Sequence, residues 1–86
     1  MIQKIDAPIS VISKYDHRQK KTTPVKVMWE GREYQIVKIG LHHQYRKGRT
    51  LFHVFSISSV EVFFRIELNT ENLQWRLTEI TDDLPN

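Results

Sequence analysis

The sequence predicts a small all-β domain of five to six mostly antiparallel strands, arranged as a meander or a small, partly open barrel. Apolar and polar residues alternate with a period of two over residues 60–68, and the same period returns over residues 73–77. Turn-forming residues separate these segments, and no stretch of useful length shows helical periodicity. A barrel is favoured over a flat sheet because it exposes less unpaired strand edge.

Size and composition indicate one domain over residues 1–86. The chain of 86 residues is 40% hydrophobic, which is enough for a single core. It contains no cysteine, so disulfides, thiolate catalysis and cysteine–zinc sites are excluded. The first residues lack the apolar segment of a signal peptide, and no apolar run is long enough to span a bilayer. We therefore expect a cytoplasmic protein with no membrane partner and no cofactor.

In the first half of the chain, residues 1–8 are expected to form a lead-in or an edge strand, and residues 9–13 form the first β-branched strand. A polar loop over residues 15–23 precedes Pro24, which marks the start of the next strand. Glu30 and Gly31 then predict a two-residue hairpin turn, because glycine tolerates the positive φ that such a turn requires.

Residues 32–45 form a long extended segment whose apolar face changes near Ile36 and Val37, which predicts a bulge or a strand covered on both faces. Gly40 is a bend point within it. Residues 50–57 are apolar on both faces and are the candidate central strand. In the next strand, Val60 is expected to share the buried face, and residues 81–86 are expected to form a frayed acidic tail.

The positive charges concentrate in the first part of the chain. Residues 1–50 contain eleven Lys or Arg and four Asp or Glu, whereas residues 51–86 contain two and six. This asymmetry indicates either a surface that faces a polyanion or two halves that attract each other. Two basic segments, at residues 14–21 and 45–49, are candidate nucleic-acid contacts, with solvated loops as the alternative. The candidate residues are Lys14, Arg18, Lys20, Lys21, Tyr45, Arg46, Lys47 and Arg49.

The histidines do not form a recognisable metal motif. His42 and His43 are adjacent, so on a regular strand they point to opposite faces, and only one of them can approach His53. Two imidazoles without a carboxylate make a poor metal site. No nucleophile elbow, phosphate loop or carboxylate pair is present, so we predict no metal, no catalytic residues and no enzymatic activity.

Phe63 interrupts the polar face of its strand, where it lies between Glu61 and Arg65. An outward phenylalanine among charged residues is a candidate contact for a partner or for a second copy of the chain. The alternative is that the N-terminal strand covers Phe63 in a second, minor core.

Two segments resemble a known family. Residues 29–37 combine an aromatic residue, a hairpin glycine, a basic residue and alternating apolar residues, and residues 64–68 and 73–77 form a last aromatic hairpin. Over roughly residues 25–83 the chain resembles a small bacterial all-β domain of unknown function that is similar to the C-terminal extension of inactive Y-family DNA polymerase homologues. It departs from the family at residues 42–45, where a tryptophan cluster is missing. The resemblance implies an accessory or interaction module linked to DNA repair complexes, and it carries over no catalytic residues.

We therefore expect a non-enzymatic protein-interaction or structural module, which binds an unknown protein partner or pairs with itself through an edge strand. The alternative is a small nucleic-acid-binding barrel that uses the basic loops at residues 14–21 and 45–49.

Overall fold

The computed structural model describes residues 2–81, which form one antiparallel sheet of seven strands and contain no helix. The strands are β1 (Ile2–Asp16), β2 (Lys21–Trp29), β3 (Arg32–Gln35), β4 (Lys38–Lys47), β5 (Thr50–Ser58), β6 (Phe63–Asn69) and β7 (Gln74–Thr81). Their order across the sheet is β3-β2-β1-β7-β6-β5-β4. The all-β antiparallel prediction is confirmed, and the strand count is seven rather than five to six.

The additional strand arises where the long segment at residues 32–45 divides. β3 pairs with β2, whereas β4 pairs with β5 at the opposite edge of the sheet. Between them, the Ile36 N–H donates to the Val25 carbonyl at 3.0 Å and the Val37 N–H donates to the Ser58 carbonyl at 2.8 Å. The change of apolar face near Ile36 therefore marks a boundary between two strands. The predicted bend at Gly40 is a bulge, since the β4–β5 register shifts between Ile39 and Leu41.

This short connection determines how the sheet bends. Because residues 36 and 37 join the two edge strands, the sheet curls until its edges meet at that corner. Away from the corner, residues 21–25 of β2 and the outer edge of β4 have no ladder between them in the part of the chain that the structure describes. The curled sheet therefore remains open along this side.

The N-terminal region differs from the prediction. Residues 2–9 pair with β7, and from Ser10 onward the same strand pairs with β2, so β1 lies inside the sheet. The expected loop at residues 15–23 shrinks to residues 17–20, because backbone pairing extends the strands through polar residues that carry no apolar signal. The two-residue turn at Glu30 and Gly31 is confirmed, with φ values of 50° and 75°. Of the expected acidic tail at residues 81–86, Thr81 is the last residue of β7, and residues 82–86 lie outside the described residues.

The prediction that Val60 shares the buried face is wrong. β6 begins only at Phe63, and Val60 is 76% exposed. The cause is Ser59, whose Oγ accepts hydrogen bonds from the N–H groups of Glu61 and Val62 and donates one to the Val62 carbonyl. These bonds close a turn, and the turn carries Val60 away from the core.

The core occupies the end of the curled sheet near the corner. It is formed by Val27, Phe55, Ile57, Phe64, Ile66 and Leu77. Both faces of β5 are covered there, since Val54 is 3% and Phe55 is 2% exposed. β5 is nevertheless second from the edge and not central, because β4 flanks it. No helix in residues 2–81 is long and apolar enough to cross a membrane.

Candidate functional site

Three turns lie together at one end of the sheet, which we call the basic end. They are residues 17–20 between β1 and β2, residues 48–49 between β4 and β5, and residues 70–73 between β6 and β7. The Thr70 N–H donates to the Leu51 carbonyl at 3.1 Å, which ties the last turn to the start of β5. Antiparallel connectivity therefore brings both predicted basic segments to the same end of the molecule.

Two of these turns use the same local chemistry. The Asp16 carboxylate accepts hydrogen bonds from the backbone of Arg18 and Gln19, at 2.8 and 3.3 Å, and Asn69 Oδ1 accepts equivalent bonds from the two residues after Thr70. The fourth residue of each turn has a positive φ, 55° at Lys20 and 61° at Leu73. Residues with a Cβ rarely adopt this conformation, so both turns hold backbone strain.

Both strained residues border a cavity of about 430 Å³ that opens between β2 and β4 at the basic end, and we call it the mouth cavity. It is lined by Gln19, Lys20, Lys21, Thr22, His42, Gln44, His53, Phe55, Leu68, Thr70 and Leu73. The lining contains two lysines, two histidines and no carboxylate. Its volume is typical of small-ligand sites, which are roughly 300–1,000 Å³.

The cavity exists because the inner face of the sheet changes character along its length. Near the corner the inner residues are apolar, for example Ile39 and Ile57, which pair directly across β4 and β5. Toward the basic end, the same inner face of β4 and β5 carries His42, Gln44 and His53. Polar side chains at interior positions keep this half of the curled sheet accessible to solvent and to ligands.

His42 and His53 form the polar centre of the mouth cavity. The Nε2 atom of His42 and the Nδ1 atom of His53 are 2.7 Å apart, which is a hydrogen bond between the two rings. The His42 ring also stacks on Phe55, with centroids 4.3 Å apart and an angle of 8°. Because Phe55 is only 2% exposed, this contact fixes the orientation of the His42 ring.

The environment of His42 lowers its pKa from the ordinary value of 6.5. Desolvation is the largest cause, followed by the charges of His53, Lys21 and His43. Lys21, the first residue of β2, lines the same cavity as His42 on β4, although no ladder joins these two strands in residues 2–81. The site therefore opposes the addition of positive charge while no anion occupies it.

The structure separates the predicted nucleic-acid residues into two groups. Lys20 and Lys21 line the mouth cavity, and the others lie near the basic end outside its lining. By strand alternation Arg46 shares the face of His42 and Gln44. Tyr45 lies on the other face, stacks on Phe52 with centroids 5.0 Å apart, and donates a hydrogen bond of 2.6 Å to Glu67.

The basic side chains of residues 14–21 and 45–49, which lie partly on strands and partly in turns, form no ion pair within the described residues. The ion pairs found in residues 2–81 are Lys26–Glu33, Arg32–Glu61, Arg65–Glu79 and Asp6–Arg76. None of them involves a basic residue from residues 14–21 or 45–49. Ion pairing between the two halves of the chain therefore does not account for these two basic segments, whose charges remain available to a ligand.

Phe63 lies on the outer face of the sheet, far along β6 from the basic end. It is half-buried and lines an outer groove of about 350 Å³ together with Ile2, Leu41 and Arg65. Ile2 of β1 is 65% and Leu41 of the edge strand β4 is 55% exposed. The groove therefore offers apolar surface next to the charged residues of its lining, which are Lys38, Arg65 and Glu79. The contact between Phe63 and a partner remains a prediction.

Metal ligands do not gather in the described part of the chain. Within residues 2–81, no three side chains of His, Cys, Asp or Glu are close enough together to hold a metal ion. His43 points away from the His42–His53 pair, as expected for adjacent residues of a strand.

Sequence reasoning missed several residues of the mouth cavity, namely Gln19, Thr22, Gln44, Thr70 and Leu73. One signal was present, because Gln44 and His53 occupy positions where the alternation of β4 and β5 otherwise places apolar residues. Polar residues on a core face indicate either a satisfied internal network or an open site. The remaining residues are brought in by the turns, whose positions depend on how the sheet curls.

Comparison of the chain with protein-family models found no match, and comparisons with curated proteins and with solved structures found none either. The resemblance to the extension of inactive Y-family polymerase homologues therefore stays a prediction.

Proposed function

We propose that this chain is a partly open β-barrel that binds single-stranded nucleic acid without catalysing a reaction. The observation that carries the proposal is the mouth cavity, where two lysines and two histidines face one opening that has no carboxylate in its lining. Lys and Arg contacts to phosphates supply most of the affinity of sequence-independent nucleic-acid binding. Small barrels commonly use loops at one end for such contacts.

The arrangement favours a single strand over a duplex. The mouth cavity lies in the gap between β2 and β4, and its lining combines basic, amide and apolar side chains, including the 71% exposed Leu73. A gap of this kind accepts a flexible backbone and an unstacked base, whereas a duplex presents a wide and rigid cylinder. Lys14, Arg18, Lys47 and Arg49 would extend the positive surface on both sides of the gap.

Fluorescence anisotropy with a labelled oligothymidylate of about twelve nucleotides tests the proposal. We expect binding at low salt that weakens steeply as salt increases, because phosphate contacts release counterions. The double variant Lys20→Glu/Lys21→Glu is expected to weaken binding about tenfold or more and to flatten the salt dependence. A matching duplex is expected to bind more weakly than the single strand.

The control variant is Lys4→Glu/Lys38→Glu, which changes net charge equally at the opposite end of the sheet. It should weaken binding by less than about threefold, since only long-range attraction is affected. Absence of binding at low salt, or equal losses in both double variants, would contradict the proposal.

A second candidate function is protein interaction through β4, by pairing with an extended partner or with a second copy of the chain. β4 is an edge strand of ten residues, and its middle residues, 41–45, carry no Lys, Arg, Asp or Glu. Such an edge offers unpaired backbone groups to another strand. The outer groove beside Leu41 and Phe63 adds apolar surface next to this edge.

Light scattering after size-exclusion chromatography distinguishes pairing through β4 from nucleic-acid binding. Edge pairing is expected to persist at high salt, whereas nucleic-acid binding is not. Leu41→Lys would place a charge on the exposed edge and abolish self-association, and Phe63→Ser would weaken it if the groove contributes. A monomer at all protein concentrations would rule out the homodimer.

A further inference from the structure

The His42–His53 pair has unused hydrogen-bonding capacity. One nitrogen of each ring forms the shared bond of 2.7 Å, and within residues 2–81 the other two nitrogens, His42 Nδ1 and His53 Nε2, have no hydrogen-bond partner in the protein. When both rings are neutral, the pair holds two protons, one of which lies in the shared bond. Only one of the two outer nitrogens is then a donor. A third proton makes both outer nitrogens donors and gives the pair a positive charge.

The groups that face His42 all oppose this third proton. His53 faces it from β5, Lys21 faces it from β2, and His43 is its neighbour on β4. Lys20 lines the same mouth cavity, and no Asp or Glu does. Protonation of the pair in the empty cavity therefore adds charge to an already positive site. An anion that enters the cavity removes this cost, so anion binding and proton binding favour each other.

We propose that the mouth cavity is a phosphate-binding site in which the His42–His53 pair binds one proton from solvent as the phosphate enters between it and Lys20 and Lys21. The proton attaches to an outer ring nitrogen, and no covalent bond to phosphate forms. The inference rests on the proposed function, because it names the group of the nucleic acid that enters the cavity. The donors that line the cavity include the lysine ammonium groups, the two outer N–H groups and the Gln44 amide. The Gln19 amide and the Thr22 hydroxyl line it as well.

Phosphate fits these donors better than a carboxylate does. A phosphate presents its oxygens in tetrahedral directions, and two of them are unesterified even in a nucleic-acid backbone. The donors also come from several directions, namely from β2, β4, β5 and the turn between β1 and β2. The cavity of about 430 Å³ also has room for part of the nucleoside that the phosphate carries. Leu68 and Leu73 provide apolar surface for that part.

Isothermal titration calorimetry of the full chain tests the inference. The probes are an oligothymidylate with a 5′-phosphate, the same strand with a 5′-hydroxyl, and inorganic phosphate. Each is titrated in two buffers with different ionisation enthalpies, at roughly pH 5.5 and pH 8, on either side of ordinary histidine titration. A third titration at about pH 7 in the same two buffers counts protons for the 5′-hydroxyl strand, whose phosphodiesters do not titrate in this range. We expect uptake of close to one proton there, and binding of this strand about tenfold tighter at roughly pH 5.5 than at roughly pH 8.

The double variant His42→Asn/His53→Gln is expected to abolish the proton uptake, because no imidazole then lines the cavity, while much of the salt dependence due to the lysines remains. His43→Asn is the matched control, because it removes a neighbouring imidazole outside the pair, and it should keep the uptake. Circular dichroism establishes that each variant is folded. Tighter binding of the 5′-phosphorylated strand would assign the site to a terminal phosphate, and equal binding would assign it to backbone phosphates. Either result would support a phosphate-binding site.

Salt-dependent binding without proton uptake would overturn the inference and leave the proposed function intact. Equal uptake in the double variant His42→Asn/His53→Gln and in His43→Asn would also overturn it, because the proton would then bind outside the pair. Failure of every probe to bind at low salt would reject both the inference and the proposed function.

Discussion

His42 on β4 and His53 on β5 share a hydrogen bond of 2.7 Å although they are diagonal neighbours and not directly opposite. The residue opposite His42 is Phe55, and the residue opposite His53 is Gln44. Diagonal pairs in a sheet are within reach of ring side chains. Stacking on Phe55 turns the His42 ring toward His53, so the pair depends on the register of this hairpin.

This pair predicts how stability depends on pH in the absence of ligand. The pKa of His42 is lower in the folded chain than its ordinary value of 6.5, so the unfolded chain binds the proton more readily. The contribution of His42 is therefore fully present above pH 6.5 and is lost as the pH falls through the folded pKa. Urea unfolding between roughly pH 8 and pH 5 should show a falling free energy of unfolding. His42→Asn should flatten this fall and His17→Asn should not.

The Tyr45–Glu67 hydrogen bond predicts that stability falls as the pH rises above 10, whereas the effect of His42 appears as the pH falls. The hydrogen bond to Glu67, followed by burial and the Glu67 charge, raises the pKa of Tyr45 to about 12. Because the folded pKa is above the ordinary value of 10, this contribution to stability is present below pH 10 and is lost as the pH rises toward 12. Ultraviolet titration of tyrosinate should therefore reveal one late-ionising tyrosine. Glu67→Gln should lower its pKa, whereas Glu71→Gln, which alters a separate bond to Thr50, should leave it unchanged.

Two valines provide a matched test of the core. Val27 is fully buried and Val60 is 76% exposed, although sequence periodicity places both on apolar faces. Val27→Ala is expected to lower the free energy of unfolding by about 2 kcal/mol, from lost apolar burial and an unfilled cavity. Val60→Ala should change it by less than about 0.5 kcal/mol. Similar losses in the two variants, measured by chemical denaturation, would show that Val60 is also in the core.

Replacing Leu73 with glycine is expected to stabilise the protein. Its φ of 61° is unfavourable for a residue with a Cβ, and its side chain is 71% exposed, so little packing offsets the strain. Leu73→Gly is expected to raise the free energy of unfolding by about 0.5–1 kcal/mol.

Leu73→Ala is the control for this prediction, because it removes the exposed side chain and keeps the Cβ. It should give no gain. A loss of stability in the glycine variant, measured by thermal or chemical unfolding, would show that the leucine packs against the turn more strongly than its exposure indicates.

Local chemistry was sufficient to predict much of this fold from the sequence. The turn at Glu30 and Gly31, the bend at Gly40 and the alternation over residues 64–68 each depend on neighbouring residues alone, and each is found. The prediction for Val60 is wrong because the alternation of apolar and polar residues already begins at Val60 in the sequence. In the structure the Ser59 side chain closes a turn over these residues, and the strand begins only at Phe63. Polar strand residues such as Thr22 were assigned to a loop because only pairing with β1 makes them extended.

The sequence by itself therefore determined an antiparallel β domain with two basic segments, because alternation, turn residues and charge are local properties. The tertiary structure decided where these segments meet. Residues 36 and 37 connect opposite edges of the sheet, and the resulting curl places Lys21 and His42 in the lining of one cavity. Strand register then placed His53 beside His42. Curl and register depend on contacts between residues far apart in the chain, and for that reason no local pattern revealed the mouth cavity.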